Sequence, residues 1–79
     1  MDLLSENTAS ALDAALAPGG VRSVFQPIVE LDTGRVVAHE ALARGPEGPL
    51  QRPDHLFAAA RAAGRLAELD GACRVAAFE

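Results

Sequence analysis

The stretch from Val36 to Arg44 constrains the fold of this chain more than any other segment. It is an apolar, strand-like run that contains one carboxylate, Glu40, and ends in a guanidinium, Arg44. Because side chains alternate along a strand, Glu40, Leu42 and Arg44 lie on one face. Both faces are mostly apolar, which is typical of a strand covered on both sides. A buried Glu40 would need a salt bridge or a metal ion; alternatively, the strand end reaches solvent and both charges are simply hydrated.

Length and composition allow one small domain at most. A chain of 79 residues buries only about 60% of its unfolded surface, and the single cysteine, Cys73, cannot form an internal disulfide. The net charge of −4 argues against a general nucleic-acid or membrane-surface binder. The N-terminus lacks a signal-peptide pattern, and no apolar run approaches the ~20 residues of a membrane span. We therefore expect a soluble, cytoplasmic chain.

The first half of the chain predicts a helix followed by an antiparallel hairpin. The helix covers residues 8–17, with Asn7 or Thr8 as its cap, and Pro-Gly-Gly ends it. A strand over residues 21–31 is joined by a short turn with Gly34 to the strand that ends at Arg44. Pro27 cannot donate to a sheet ladder, so the first strand should lie at an edge or break there.

The second half predicts a loop and two helices. Residues 45–53 are rich in Gly and Pro and contain no phosphate-binding fingerprint. A helix is expected from a cap at Asp54 to a stop at Gly64. The last helix begins near Arg65, and Cys73 lies on its apolar stripe as a small core residue. With only short helices available to cover an apolar hairpin, we expect the chain to be the opening piece of a larger fold.

Three segments together resemble the start of an EAL domain. Residues 25–31 read Phe-Gln-Pro-Ile-Val-Glu-Leu, residues 33–37 read Thr-Gly-Arg-Val-Val, and residues 40–44 read Glu-Ala-Leu-Ala-Arg. The spacing of Glu-Ala-Leu after the other two segments, with an arginine two residues beyond, makes the resemblance specific. It continues through Gly48-Pro49-Leu50, Pro53, Phe57, Ala60, Gly64 and Leu69-Asp70.

The resemblance covers about residues 21–79 and implies the N-terminal, incomplete portion of an EAL domain, preceded by a leading helix and linker over residues 1–20. It implies an α/β fold, the opening segment of a modified TIM (β/α) barrel whose first strand runs antiparallel to the others. The helix, antiparallel β-hairpin and two helices expected from the residue pattern agree with such an opening segment.

The resemblance also implies a set of site residues. Glu40 matches the family's ligand for a catalytic Mg²⁺ or Mn²⁺ ion, and Arg44 matches the arginine that contacts a ligand phosphate. Gln26 and Leu42 match residues that help to hold and line the same site. The other metal ligands and the catalytic lysine come later in the family's sequences, so we expect no catalytic residue within this chain.

The implied function is part of a bacterial phosphodiesterase specific for cyclic di-GMP, which hydrolyses this second messenger to linear pGpG with a divalent metal. Whether this chain alone is an enzyme stays open, and we expect it to be inactive. The alternatives are a non-catalytic EAL-like receptor or protein-interaction domain, and an orphan fragment without activity. The implied partner is cyclic di-GMP, with a homodimer allowed and neither a nucleic-acid polymer nor a membrane segment expected.

Overall fold

The computed structural model describes residues 5–78 and confirms an α/β chain of a helix, an antiparallel hairpin and two helices. The elements are α1 (Glu6–Leu16), β1 (Arg22–Val29), β2 (Val36–Arg44), α2 (Pro53–Ala62) and α3 (Leu66–Ala77). Among the described residues, no helix has both the length and the apolar content needed to cross a bilayer.

Helix α1 begins two residues earlier than the pattern predicts. Ser5, in an extended conformation, is its cap, and the Ser5 hydroxyl oxygen accepts a hydrogen bond of 3.1 Å from the Thr8 N–H. The prediction of Asn7 or Thr8 as the cap was therefore wrong. A serine three residues before a helical N–H satisfies that orphan donor equally well, and Glu6 then lies in the first turn, where the helix dipole favours a negative charge.

Strands β1 and β2 form the predicted antiparallel hairpin. The turn is closed by two hydrogen bonds of 2.9 Å, from the Glu30 N–H to the Arg35 carbonyl and from the Gly34 N–H to the Glu30 carbonyl. Gly34 has φ of 70°, which glycine adopts without the steric cost of a side chain. The sheet of the described chain has only these two strands, so Pro27 lies on an edge strand, opposite His39.

The hairpin is exposed, which corrects the expectation of a strand covered on both faces. Phe25, Val36 and Val37 keep 52%, 53% and 59% of their surface accessible. Helix α3 contacts both strands, and Leu42, Ala43 and Arg44 at the open end of the hairpin are half-buried. The molecule is elongated, with extents of 49 × 24 × 20 Å. The short helices are too few to cover strands that extend beyond them.

The core lies among the three helices and the open end of the hairpin. Val21 precedes β1 and Leu50 follows β2, so both connections to the hairpin are anchored in the core. The buried apolar side chains are those of Leu12, Ala15, Val21, Leu50, Leu56, Ala59, Ala60, Leu69 and Ala76. Cys73 is half-buried against this core, as expected of a small packing residue.

Helix α2 is capped differently from the prediction. Arg52 holds the cap position and Pro53 occupies the first turn, so the prediction of Asp54 as the cap was wrong. Proline suits this place because its fixed φ is helical and its missing N–H would lack a partner there. The helix stops as predicted, with Gly64 at φ of 70° after the C-cap Ala63.

Arg65 connects the first and last helices. Its guanidinium donates to Asp13 of α1 and to Glu68 of α3, each at 2.5 Å. The hydrogen bond to Asp13, followed by that to Glu68, raises the pKa of Arg65. These contacts link α1 to the start of α3 at the surface, above the core that the two helices share.

Candidate functional site

The register of the hairpin places all four predicted site residues on one face. Gln26 pairs with Glu40, and two steps along the strands Val24 pairs with Leu42. The next pair on this face is Arg22 with Arg44. Opposed residues of an antiparallel pair share a face, as do residues two apart on one strand. The structure thus brings Gln26 to the face that carries Glu40, Leu42 and Arg44.

Glu40 presents its carboxylate to solvent. Both Glu40 and Gln26 are exposed, and within residues 5–78 no ion pair involves Glu40. The buried carboxylate considered from the sequence is therefore not what the fold contains. The oxygens of Glu40 and the amide of Gln26 are both available on this face to an incoming group.

The described residues supply too few ligands for a divalent metal by themselves. Mg²⁺ prefers six oxygen ligands, of which proteins usually provide one or two carboxylates and the substrate or water the rest. Across residues 5–78 no group of three His, Cys, Asp or Glu side chains could hold a metal ion. Within residues 5–78, Glu40 therefore offers one carboxylate ligand, and the described residues do not complete a metal site by themselves.

Arg44 lies at the end of β2, directly before the loop of residues 45–51. The two ends of this loop, at Gly45 and Gln51, approach each other closely and form what we call the loop neck. Its side chain is half-buried, and Nη1 donates to the Ala43 carbonyl at 2.9 Å. The following residue, Gly45, donates its N–H to the Gln51 carbonyl at 3.1 Å. A Cβ at Gly45 would lie 2.1 Å from the carbonyl oxygen of Leu50, so this close approach requires glycine.

The neck brings the start of α2 next to the open end of the hairpin. An open pocket of about 340 Å³ forms there, on the face that carries Glu40. Three of the lining side chains are guanidinium groups. The pocket is lined by Arg22, Val24, Arg44, Gln51, Arg52 and Pro53.

Two of these arginines were missed by the sequence analysis. Arg22 lies four residues before Gln26 on the same strand. Residues an even number of positions apart share a face of a strand, so the sequence could have placed Arg22 beside Gln26. Arg52 carries no such signal, because it reaches the pocket only through the hydrogen bond that closes the loop between Gly45 and Gln51.

The face therefore has two chemically different ends. The Glu40 end offers oxygen ligands that suit a hard cation, whereas the arginine end offers donors that suit an oxyanion. Glu40 and Arg44 are four residues apart on one strand, which corresponds to roughly 13 Å along β2.

Comparison with known proteins agrees with this arrangement. A family model described as the EAL domain matches residues 9–79, a stretch that includes the whole hairpin and every residue of the face. No curated protein and no solved structure matches the chain. With the family model covering most of the chain, and the Gln26, Glu40, Leu42 and Arg44 face in place, the chain belongs to the EAL-domain family.

Proposed function

We propose that this chain forms the N-terminal part of a phosphodiesterase that hydrolyses cyclic di-GMP to linear pGpG with a divalent metal. EAL domains bind cyclic di-GMP and are associated with its hydrolysis, and the family generally depends on divalent metals. The observation that carries the proposal is the hairpin register, which gathers Gln26, Glu40, Leu42 and Arg44 on one face.

In this proposal each residue has a role that its chemistry suits. Glu40 supplies one carboxylate ligand to Mg²⁺ or Mn²⁺, because hard cations prefer oxygen ligands. Arg44 contacts a phosphate of the dinucleotide, since a guanidinium fork matches two phosphate oxygens. Gln26 donates or accepts at the ligand from the opposite strand, and Leu42 lines the site between the two charged ends.

The remaining parts of the reaction would come from outside these residues. The other metal ligands and the catalytic lysine have no counterpart on the described face, so we expect no turnover from this chain alone. The proposed complete fold is a modified TIM barrel, in which further strands would cover the apolar side chains that the hairpin exposes. Arg44 at the end of β2 would then lie where barrel sites gather, at strand ends.

The alternative is a receptor that binds cyclic di-GMP without hydrolysing it. The Glu-Ala-Leu segment that ends at Leu42 does not guarantee the other metal ligands, which in the family come later in the sequence. A chain with phosphate donors and an incomplete metal site can bind the dinucleotide and leave it intact.

The test is an assay of cyclic di-GMP hydrolysis by the protein that the complete reading frame encodes, with Mg²⁺ or Mn²⁺ present. Glu40→Gln keeps the shape of the side chain and removes its charge, so turnover should be lost while the circular dichroism spectrum is unchanged. Glu30→Gln is the matched control, because Glu30 follows β1 near the turn, and it should be fully active.

Each outcome of the assay separates the two functions. Binding of cyclic di-GMP without any pGpG from the wild type would support the receptor. Turnover by Glu40→Gln at the wild-type rate would refute the assignment of Glu40 to the metal.

A further inference from the structure

The pocket at the open end of the hairpin is lined by three arginines, and two of them have no acidic partner among the described residues. Arg22 and Arg44 are direct cross-strand partners, an arrangement that repels because like charges face each other. Arg52, at the start of α2, lines the same pocket. Among the described residues, neither Arg22 nor Arg44 takes part in an ion pair.

The loop neck joins the segments that carry two of these arginines. The 3.1 Å hydrogen bond from the Gly45 N–H to the Gln51 carbonyl joins the residue after Arg44 to the residue before Arg52. Leu50, which is fully buried, anchors the same loop in the core. The backbones of Arg44 and Arg52 are therefore held near each other by a hydrogen bond and by packing of the loop.

The net charge of the pocket selects the charge of its ligand. Asp54 forms a two-pronged ion pair with Arg52, with contacts of 2.8 and 3.2 Å, and so offsets one of the three guanidinium charges. Two positive charges remain. A phosphate monoester carries close to two negative charges at neutral pH, whereas a phosphodiester carries one. The charge balance thus favours the monoester.

We propose that the pocket lined by Arg22, Arg44 and Arg52 binds the dianionic phosphate of a phosphate monoester, such as the terminal phosphate of a linear nucleotide. This binding goes beyond the proposed function, in which Arg44 alone contacts the phosphodiester of the cyclic dinucleotide. Arg22 and Arg52 are assigned here as further binding residues, and the pocket discriminates between ligands with one and two phosphate charges.

Methyl phosphate and dimethyl phosphate are the probes, because they differ in one methyl group and in charge. Each is titrated into the full chain at about pH 7.5 and low salt, and binding is followed by the amide NMR shifts of the hairpin and by the melting temperature. A ligand that binds only the folded chain raises that temperature. We expect methyl phosphate to bind roughly 10-fold more tightly than dimethyl phosphate.

Variants assign the binding to the pocket. Arg22→Gln and Arg52→Gln should each weaken methyl phosphate binding by roughly 5- to 10-fold, since each loses a charge-assisted contact at an exposed site. Arg35→Gln is the matched control at the turn end of the hairpin and should bind as the wild type does. Asp54→Asn should bind more tightly, because it releases Arg52 from its ion pair.

The results that would overturn the proposal are specific. Equal affinity for the two probes would show that the pocket does not select a dianion. An equal loss in Arg35→Gln, or visible hairpin amide resonances that do not shift with methyl phosphate, would show that no such site exists. Arg44 belongs to both proposals, but these measurements use neither metal nor cyclic dinucleotide, so failure here leaves the hydrolysis assay of Glu40 unaffected.

Discussion

Gln26 lies directly opposite Glu40 in the antiparallel hairpin of β1 and β2. The pairing joins the Gln-Pro-Ile segment to the Glu-Ala-Leu segment across the turn, so an amide and a carboxylate face the same side of the sheet. A shift of the register by one residue would move Gln26 to a place opposite His39 or Ala41 and separate it from the Glu40 face. The candidate site therefore depends on the register as much as on the residues.

Replacing Arg44 should weaken the binding of cyclic di-GMP. If Arg44 contacts a phosphate, Arg44→Ala loses one charge-assisted contact worth roughly 1.5–3 kcal/mol, or about 10- to 150-fold in affinity. Arg44→Lys should recover only part of the loss, because an ammonium cannot make the planar two-pronged contact. Isothermal calorimetry in Ca²⁺ on the protein of the complete reading frame measures this, with Arg35→Ala as the control. If Arg44→Ala bound cyclic di-GMP with unchanged affinity, Arg44 would be a hydrated side chain at the strand end and not a phosphate contact.

Adding a methyl group at Gly45 should destabilise the chain. The new Cβ would lie 2.1 Å from the Leu50 carbonyl oxygen, so the neck of the loop must open, at a cost of about 1–3 kcal/mol or more. Gly71→Ala is the opposite control: it lies inside α3 with no atom within 4 Å of the new Cβ and should stabilise by about 0.5–1 kcal/mol. Urea unfolding of both variants tests the pair, and a stabilised Gly45→Ala would contradict the close approach.

Truncation in the core should cost far more than truncation on the hairpin. Leu56 is fully buried, so Leu56→Ala should lower the free energy of unfolding by about 2–5 kcal/mol. Val37 keeps 59% of its surface exposed, and Val37→Ala should cost less than about 1 kcal/mol. Equilibrium unfolding of the 79-residue chain, without the further strands proposed to cover the hairpin, compares the two variants, and equal losses would mean that the hairpin is already covered in solution.

Cys73 should react slowly as a nucleophile. Burial, and then the nearby charge of Asp70, raise the pKa of the Cys73 thiol, so less of it is thiolate at a given pH. Iodoacetamide at about pH 8 should alkylate it more slowly than a free cysteine, and Asp70→Asn should speed the reaction. The raised pKa also makes stability depend on pH. The contribution of the neutral Cys73 thiol to the free energy of unfolding is fully present below the pKa of the thiol in the unfolded chain, about 8.5, and is lost as pH rises through the higher pKa of the thiol in the folded chain. Alkylation as fast as that of free cysteine would contradict this environment.

The sequence by itself determined the local elements and the family. Alternating side chains placed Glu40, Leu42 and Arg44 on one face, and the glycine at 34 marked a hairpin turn that needs a positive φ. Gly64 likewise marked a helix end. These features were predictable because each depends on residues that are close together in the chain.

Tertiary structure alone decided how the site is assembled. The pairing of Gln26 with Glu40 depends on the register between two strands, and the approach of Arg52 to Arg44 depends on a hydrogen bond that closes a loop. The exposure of the hairpin depends on how far the helices reach along it. Each of these features is set by hydrogen bonds and packing between residues that are distant in the chain. The alternation of side chains along a strand and the residues of a turn motif are local signals and carry no information about such contacts.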